Sequence, residues 1–181
     1  PMSELHSLEP IRSLFEGASD SVAVRGREIR VNLGTRDPEE AVRALTQKAE
    51  CRLASGIASD DRKEKNCFSL RYVFALDALD AFVILETRHD PRDPHCRSLT
   101  PWVPAAHLFE RENFEFFGIR PQGHPDFKPL LLHDDWPQDV YPLRKDFPWN
   151  SKAERRTGRP YRFLTVEGEG IFEVPVGPVH A

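Results

Sequence analysis

At 181 residues, with 39% hydrophobic and 30% charged side chains, the chain is long enough for one domain with a real core plus an appendage. A formal net charge of -4 argues against nucleic acid as a partner, because binding driven by counterion release needs a basic face. No run of about 18 apolar residues and no apolar leader occurs, so contact with a membrane is expected only through partner subunits.

Cys51, Cys67 and Cys96 are odd in number and form no Cys-x-x-Cys pair, which suits small buried thiols in a reducing compartment. Met2 reads as a natural start, with Pro1 a leftover in front of it.

Leu5, Leu8, Ile11, Leu14 and Phe15 recur at helical spacing and predict a short helix ending near Gly17. Ser21 to Val24 and Glu28 to Leu33 alternate around Arg25-Gly26-Arg27, as two strands joined by a tight turn would. Asp37-Pro38-Glu39-Glu40 then supplies a cap, a proline at the first helical position and acid in the first turn, so a helix is expected from about Pro38 to Glu50.

Cys51 to Ala58 reads as a strand and Asp60 to Asn66 as a solvated charged turn without chemistry. Phe68 to Ala75 and Ala81 to Thr87, rich in Val, Ile, Phe and Tyr, predict a hairpin. The order favours an α+β domain over residues 3–119, with a largely antiparallel, mixed sheet and helices packed on it.

Proline usage then changes. Pro121, Pro125, Pro129, Pro137, Pro142 and Pro148 punctuate residues 120–150, removing backbone donors and favouring extended geometry. This stretch is expected to be an extended docking arm. With Leu130-Leu131-Leu132, Trp136, Tyr141, Phe147 and Trp149 it is too apolar to float free, so it should lie on its own domain, on a partner, or on both.

Placing Trp102 to Phe117 on a helical wheel puts Trp102, Val103, Ala105, Ala106, Phe109, Phe114, Phe116 and Phe117 on one arc, with Arg111 and Glu115 opposite. Glu110 and Asn113 fall inside the apolar arc. A carboxylate there demands a cation or several donors, and Arg144 or Lys145 are the nearest candidates by composition. On the charged side, a solvated face with an Arg111/Glu115 pair competes with an interface role for Arg111, Glu112 and Glu115.

His124, Asp126, His133, Asp134 and Asp135, like His89, Asp90, Asp93, His95 and Cys96, form a metal-ligand palette without His-x-x-x-His or Cys-pair spacing, so no metal is expected. An independent metal-dependent enzyme using His124 and His133 is the alternative from a different class. No phosphate loop, nucleophile elbow or triad order is present.

Glu110-Arg111-Glu112, two residues, Glu115-Phe116-Phe117, six residues, His124, three residues, Lys128, one residue and Leu130-Leu131 closely resemble the signature of the 30 kDa subunit family of respiratory-chain NADH:quinone oxidoreductase. Gly123-His124-Pro125-Asp126, Asp135-Trp136 and Pro142-Leu143-Arg144-Lys145-Asp146-Phe147-Pro148 extend the resemblance. It implies a hydrophilic accessory subunit without a redox centre, whose arm wraps a large subunit.

Thr100-Pro101, Val103-Pro104-Ala105-Ala106 and Asp134 to Asp146 further resemble the form fused to the large subunit of membrane-bound, energy-converting nickel-iron hydrogenases, of the formate hydrogenlyase and hydrogenase-4 type. Residues 167–180 are similar to the opening strand of that large subunit, so residues 151–181 are expected to be a linker and that strand, with Ala181 the point where a longer chain is cut. Gly177-Pro178-Val179-His180 is similar to the edge of a loop near the quinone, which makes His180 a candidate.

This resemblance implies that the nickel-iron centre and the iron-sulfur clusters lie elsewhere in the complex and that these residues hold no cofactor. The partners would be the large catalytic subunit, or the chain's own missing C-terminal domain, and the iron-sulfur subunits, on the cytoplasmic side of the inner membrane. The interface residues expected are Glu110, Arg111, Glu112, Glu115, His124, Asp126, Trp136, Arg144, Lys145 and Asp146. A stand-alone accessory subunit of NADH:quinone oxidoreductase is the alternative within the family.

Overall fold

The computed structural model describes residues 8–133, 135–148, 150, 153 and 168–170. Asp134, Trp149, His180 and the strand expected over 167–180 therefore lie outside the described residues, apart from 168–170.

Helical residues 8–12 (α1) run into a 3-10 turn at Ser13–Phe15, which buries Phe15 completely. The strands β1 (Ser21–Arg25) and β2 (Glu28–Gly34) pair antiparallel, with Val24 opposite Ile29. The turn between them needs a residue at positive φ, and Gly26 supplies it at +58°. Helix α2 (Glu39–Lys48) starts where Pro38 fixes the backbone and the Asp37 carboxylate accepts the Glu39 N–H at 3.0 Å. Its Ala41, Val42 and Leu45 face the core.

Strand β3 (Arg52–Asp60), the short α3 (Arg62–Lys65), β4 (Phe68–Leu76) and β5 (Ala81–His89) complete a five-stranded sheet of order β1-β2-β5-β4-β3. Every pairing is antiparallel except β2 with β5, so the sheet is mixed. Alternation decides the faces: Val31, Tyr72 and Leu85 are buried in one core, while Ile57 and Phe82 are exposed on the strands that carry them.

A smaller unit follows. Strand β6 (His95–Arg97) pairs in parallel with β7 (Arg120–Gln122), and α4 (Ala106–Phe117) connects them. Leu99 and Ile119 are fully buried beside it. Helix α4 lies on β3 closely enough that a Cβ on Gly56 would meet the Phe109 Cβ at 2.8 Å, so only glycine fits there.

Helix α4 is shorter than the stretch from Trp102 expected above. Residues 99–105 instead form turns, with the Trp102 and Val103 N–H groups both donating to Leu99 C=O. Pro101 and Pro104 remove donors a helix would need. Trp102 is consequently half-exposed, with the Arg43 guanidinium 4.5 Å from its ring.

Candidate interface around helix α4

The buried side of α4 is polar. Glu110, 2% exposed, accepts from the Leu99 N–H at 2.6 Å and from the hydroxyls of Ser98 at 2.6 Å and Thr100 at 2.8 Å. Several donors thus satisfy it, as expected, but they come from the β6–α4 turn. Arg144 and Lys145 do not reach it. One turn on, Asn113 accepts from Ala58 N–H and donates to Gly56 C=O at 3.1 Å each. It pairs with backbone groups of β3 as a neighbouring strand would.

The opposite side of α4 is not a solvated face. Glu115 is buried and accepts the N–H groups of Leu130, Leu131 and Leu132 at 2.6, 2.8 and 3.3 Å. Arg111 donates to the carbonyls of Lys128 and Pro129 at 2.8 and 2.7 Å and to His107 Nε2 at 2.9 Å. The expected Arg111/Glu115 pair is replaced by two grips on the backbone of the proline-rich segment. Charge-assisted bonds of this kind are about twice as strong as neutral ones. Glu112 is half-buried, and its side chain carries no hydrogen bond or ion pair among the described residues.

Aromatic rings fill the space between these bonds. Phe127 meets Phe114 edge-on at 4.7 Å and Tyr141 does so at 6.2 Å. The His124 ring lies 4.9 Å from His107, donates through Nε2 to His107 C=O at 3.3 Å and accepts the Asp126 N–H through Nδ1 at 3.2 Å. Both of its nitrogens are therefore engaged by backbone. The Asp126 carboxylate takes a hydrogen bond from Lys128, which holds it below the usual carboxylate range. His133 lines an open groove of about 670 Å³ with Phe114, Trp136 and Tyr141. The Trp136 indole donates to Val140 C=O at 2.7 Å and lies 6.4 Å from Phe147. Among the described residues no group of three or more His, Cys, Asp or Glu is placed to hold a metal.

Helix α4 ends at Gly118, at φ +79°, where a Cβ would meet the Tyr141 ring at 2.6 Å and the Arg144 guanidinium. Arg144 donates to Phe117 C=O at 2.8 Å and lies over Tyr141 and Phe68, 4.0 and 4.8 Å from their ring centres. Burial lowers its pKa from the ordinary guanidinium value.

Beyond it stands a second ionic cluster. Asp60, 4% exposed, accepts from the Arg62 side chain at 2.6 and 2.9 Å and from Lys145 N–H at 2.8 Å. Arg62 also reaches Asp146 with two bonds, at 2.7 and 3.1 Å. Lys145 Nζ meets both Glu64 oxygens at 3.1 Å. The Arg62 guanidinium holds Asp60 far below the usual carboxylate range and lowers Asp146 too, while the two carboxylates raise Arg62.

The solvated turn expected over Asp60 to Asn66 is thereby corrected at its start: Asp60 is buried and paired with the half-buried Arg62, while Lys63 to Asn66 are exposed. Gly56, Ala58 and Asp60 occupy alternate positions of β3, so the period-2 pattern continued past Ala58 places Asp60 inward. Of the residues expected at an interface, Arg111 and Glu115 bind the backbone of residues 128–132, and Arg144, Lys145 and Asp146 contact the end of α4, Arg62 and Glu64, whereas Glu110 is buried on the other side of α4.

Residues 31–153 match the family described as the respiratory-chain NADH dehydrogenase, 30 Kd subunit. The chain belongs to this family. Within it, the chain is 33% identical over 145 residues to formate hydrogenlyase subunit 5 of Escherichia coli K12, covering 78% of this chain and 26% of that protein. It is 32% identical to hydrogenase-4 component G of the same organism, over 67% of this chain and 22% of the relative. To the C subunit of NADH-quinone oxidoreductase from Salinispora tropica it is 28% identical, over 78% of this chain and 59% of the relative.

The chain thus spans about a quarter of the hydrogenase relatives and about three fifths of the NADH-quinone oxidoreductase relative. A chain in the structure of the membrane-bound sulfane sulfur reductase, an archaeal respiratory membrane complex, shares the fold, with TM-score 0.70 and 23% identity over 80% of this chain and 87% of that one. The oxidoreductase-complex family expected from the Glu110 to Leu131 signature is therefore established, as is the α+β sheet.

Proposed function

We propose that this family domain is a non-catalytic docking module of a membrane-bound oxidoreductase complex, the N-terminal part of an energy-converting nickel-iron hydrogenase large subunit. One observation carries the reading. Glu115 and Arg111 hold residues 128–132 by their backbone, which leaves the Leu131 side chain 44% exposed, and further along the proline-rich segment Leu143 is 54% exposed. A segment fixed by its main chain and displaying apolar side chains is built to present them to another surface. Over matches of more than 120 residues the hydrogenase relatives, at 33 and 32% identity, exceed the 26–30% of the C subunits of NADH-quinone oxidoreductase, which supports this form over the stand-alone accessory subunit.

In this reading the nickel-iron centre and iron-sulfur clusters belong to the rest of the large subunit and to iron-sulfur subunits. The module sits peripherally on the cytoplasmic side of the inner membrane and reaches it through those partners. No helix among the described residues is long and apolar enough to cross a membrane. The engaged nitrogens of His124 weigh against the metal-enzyme alternative.

Leu131→Glu and Leu143→Glu test the proposal in the native host. Each is expected to leave the melting temperature of the chain within about 2 °C, as exposed substitutions do, while preventing its co-purification with the complex. Normal co-purification of both variants would refute docking through this surface. The gene beyond Ala181 separates the two family forms: an Arg-x-Cys-x-x-Cys element supports the hydrogenase, and a stop codon supports the stand-alone form.

A further inference from the structure

The start of the proline-rich segment meets α4 through two histidine rings, and the partners of each ring fix where its proton sits. Arg111 can only donate, and it gives a guanidinium N–H to His107 Nε2 at 2.9 Å. That nitrogen must keep its lone pair, so His107 carries its proton on Nδ1. His124 is set the other way round: its Nδ1 accepts the Asp126 N–H at 3.2 Å, and its Nε2 carries the proton and donates to His107 C=O at 3.3 Å. Both rings are half-buried, with their centres 4.9 Å apart. In an imidazolium both nitrogens are donors, so a proton added to His107 faces the Arg111 N–H and one added to His124 faces the Asp126 N–H.

We infer that His107 and His124 form an acid-sensitive latch, which holds residues 124–129 on α4 while both rings are neutral and loosens that stretch when either is protonated. The charges facing the pair decide the direction. From α4, Arg111 stands directly against His107 and opposes a second cation there. From the proline-rich segment come Asp126, which feels the charge of His107, and Lys128. The Asp126 carboxylate is exposed and bound to Lys128 Nζ at 2.8 Å, so its attraction for an imidazolium is screened by solvent and offset by the ammonium. Phe127 lies 5.9 Å from the His124 ring and brings no charge. The effect of protonation reaches past the rings, because Arg111 also grips the carbonyls of Lys128 and Pro129 at 2.8 and 2.7 Å. A cation created at His107 pushes against the side chain that holds the segment. The latch rests on the ring geometry alone and does not require the docking reading.

Two NMR measurements on the full chain test it. Imidazole nitrogen shifts at pH 7.5 should show His107 protonated on Nδ1 and His124 on Nε2; any other pair of tautomers overturns the latch, and this reading needs no variant that might fail to fold. The second follows protection of the Asp126 amide at pH 7.5 and 5.5, corrected for the intrinsic pH dependence of exchange. One pH unit below the ordinary histidine value of about 6.5 shifts such a balance about tenfold, so protection in the wild-type chain should fall by about that factor while amides of β4 and β5 keep theirs. His107→Gln with His124→Asn places carboxamide oxygens where the ring nitrogens accept, without a site that titrates, and its protection should fall less than threefold. A fall below threefold in the wild-type chain, or of threefold or more in the double variant, overturns the inference. An equal fall in the β4 and β5 amides would show opening of the whole domain and overturn it too.

Discussion

At the scale of single residues, Glu110 and His89 show how burial is tolerated by different means. Glu110 has three donors and no cation, so removing the carboxylate orphans the Leu99 N–H and two hydroxyls at once. Glu110→Ala should destabilise the chain by about 3 kcal/mol or more, whereas Glu110→Gln should cost less because the Ser98 and Thr100 hydroxyls can rotate. Urea unfolding of the two variants measures the difference, and equal losses would mean that the donors contribute little.

His89 sits between the Thr87 hydroxyl at 2.8 Å and His95 C=O at 2.7 Å, and burial lowers its pKa from the ordinary value near 6.5. The folded state therefore binds a proton less readily than the unfolded chain, and stability falls as pH drops below about 6.5. Asp60 acts later: its contribution is complete above the ordinary carboxylate pKa near 3.8, begins to be lost as pH falls below it, and goes on falling into strongly acidic pH because the folded pKa is depressed. Melting temperatures at pH 7 and pH 5 should fall less in His89→Gln than in the wild-type chain.

At the scale of elements, α4 works as a clamp whose two sides are unequally legible in the sequence. The strands can be read from alternation, and the helical angle exposes Glu110 and Asn113 as polar residues on a buried side. Their partners cannot be read so easily, because the donors to Glu110 lie 10 to 12 residues upstream across a proline-broken turn. Glu115 is the clearer case. Its angle points away from the core, and what covers it is the backbone N–H groups of residues 130–132, which every sequence possesses and which leave no compositional trace. Asp60, by contrast, is legible once the alternation of β3 is followed two residues past Ala58. Glu115→Ala should release residues 128–132 while the sheet stays closed. Hydrogen exchange of the Leu130 and Leu131 amides is expected to speed up at least tenfold with β4 and β5 amides unchanged; unchanged exchange at both leucines would mean that the clamp does not restrain the segment.

At the scale of the whole molecule, the proline-rich segment is tied at two places, by Arg111 and Glu115 near residues 128–132 and by Asp60, Arg62 and Glu64 near residues 145–146. Arg144 and Tyr141 pack between them against Gly118 and Phe68. Closing one tie brings the other's partners together, because most of the loop entropy is lost only once. The ties should therefore be cooperative: Glu115→Ala and Arg62→Gln together should cost about 0.5–1 kcal/mol less than the sum of the separate losses. Urea unfolding of the four chains in one cycle measures this coupling. Additivity within about 0.3 kcal/mol would show instead that each tie fixes only its own stretch. Cooperative ties would hold Leu131 and Leu143 as parts of one surface, so that loosening either end lowers affinity for a partner touching both.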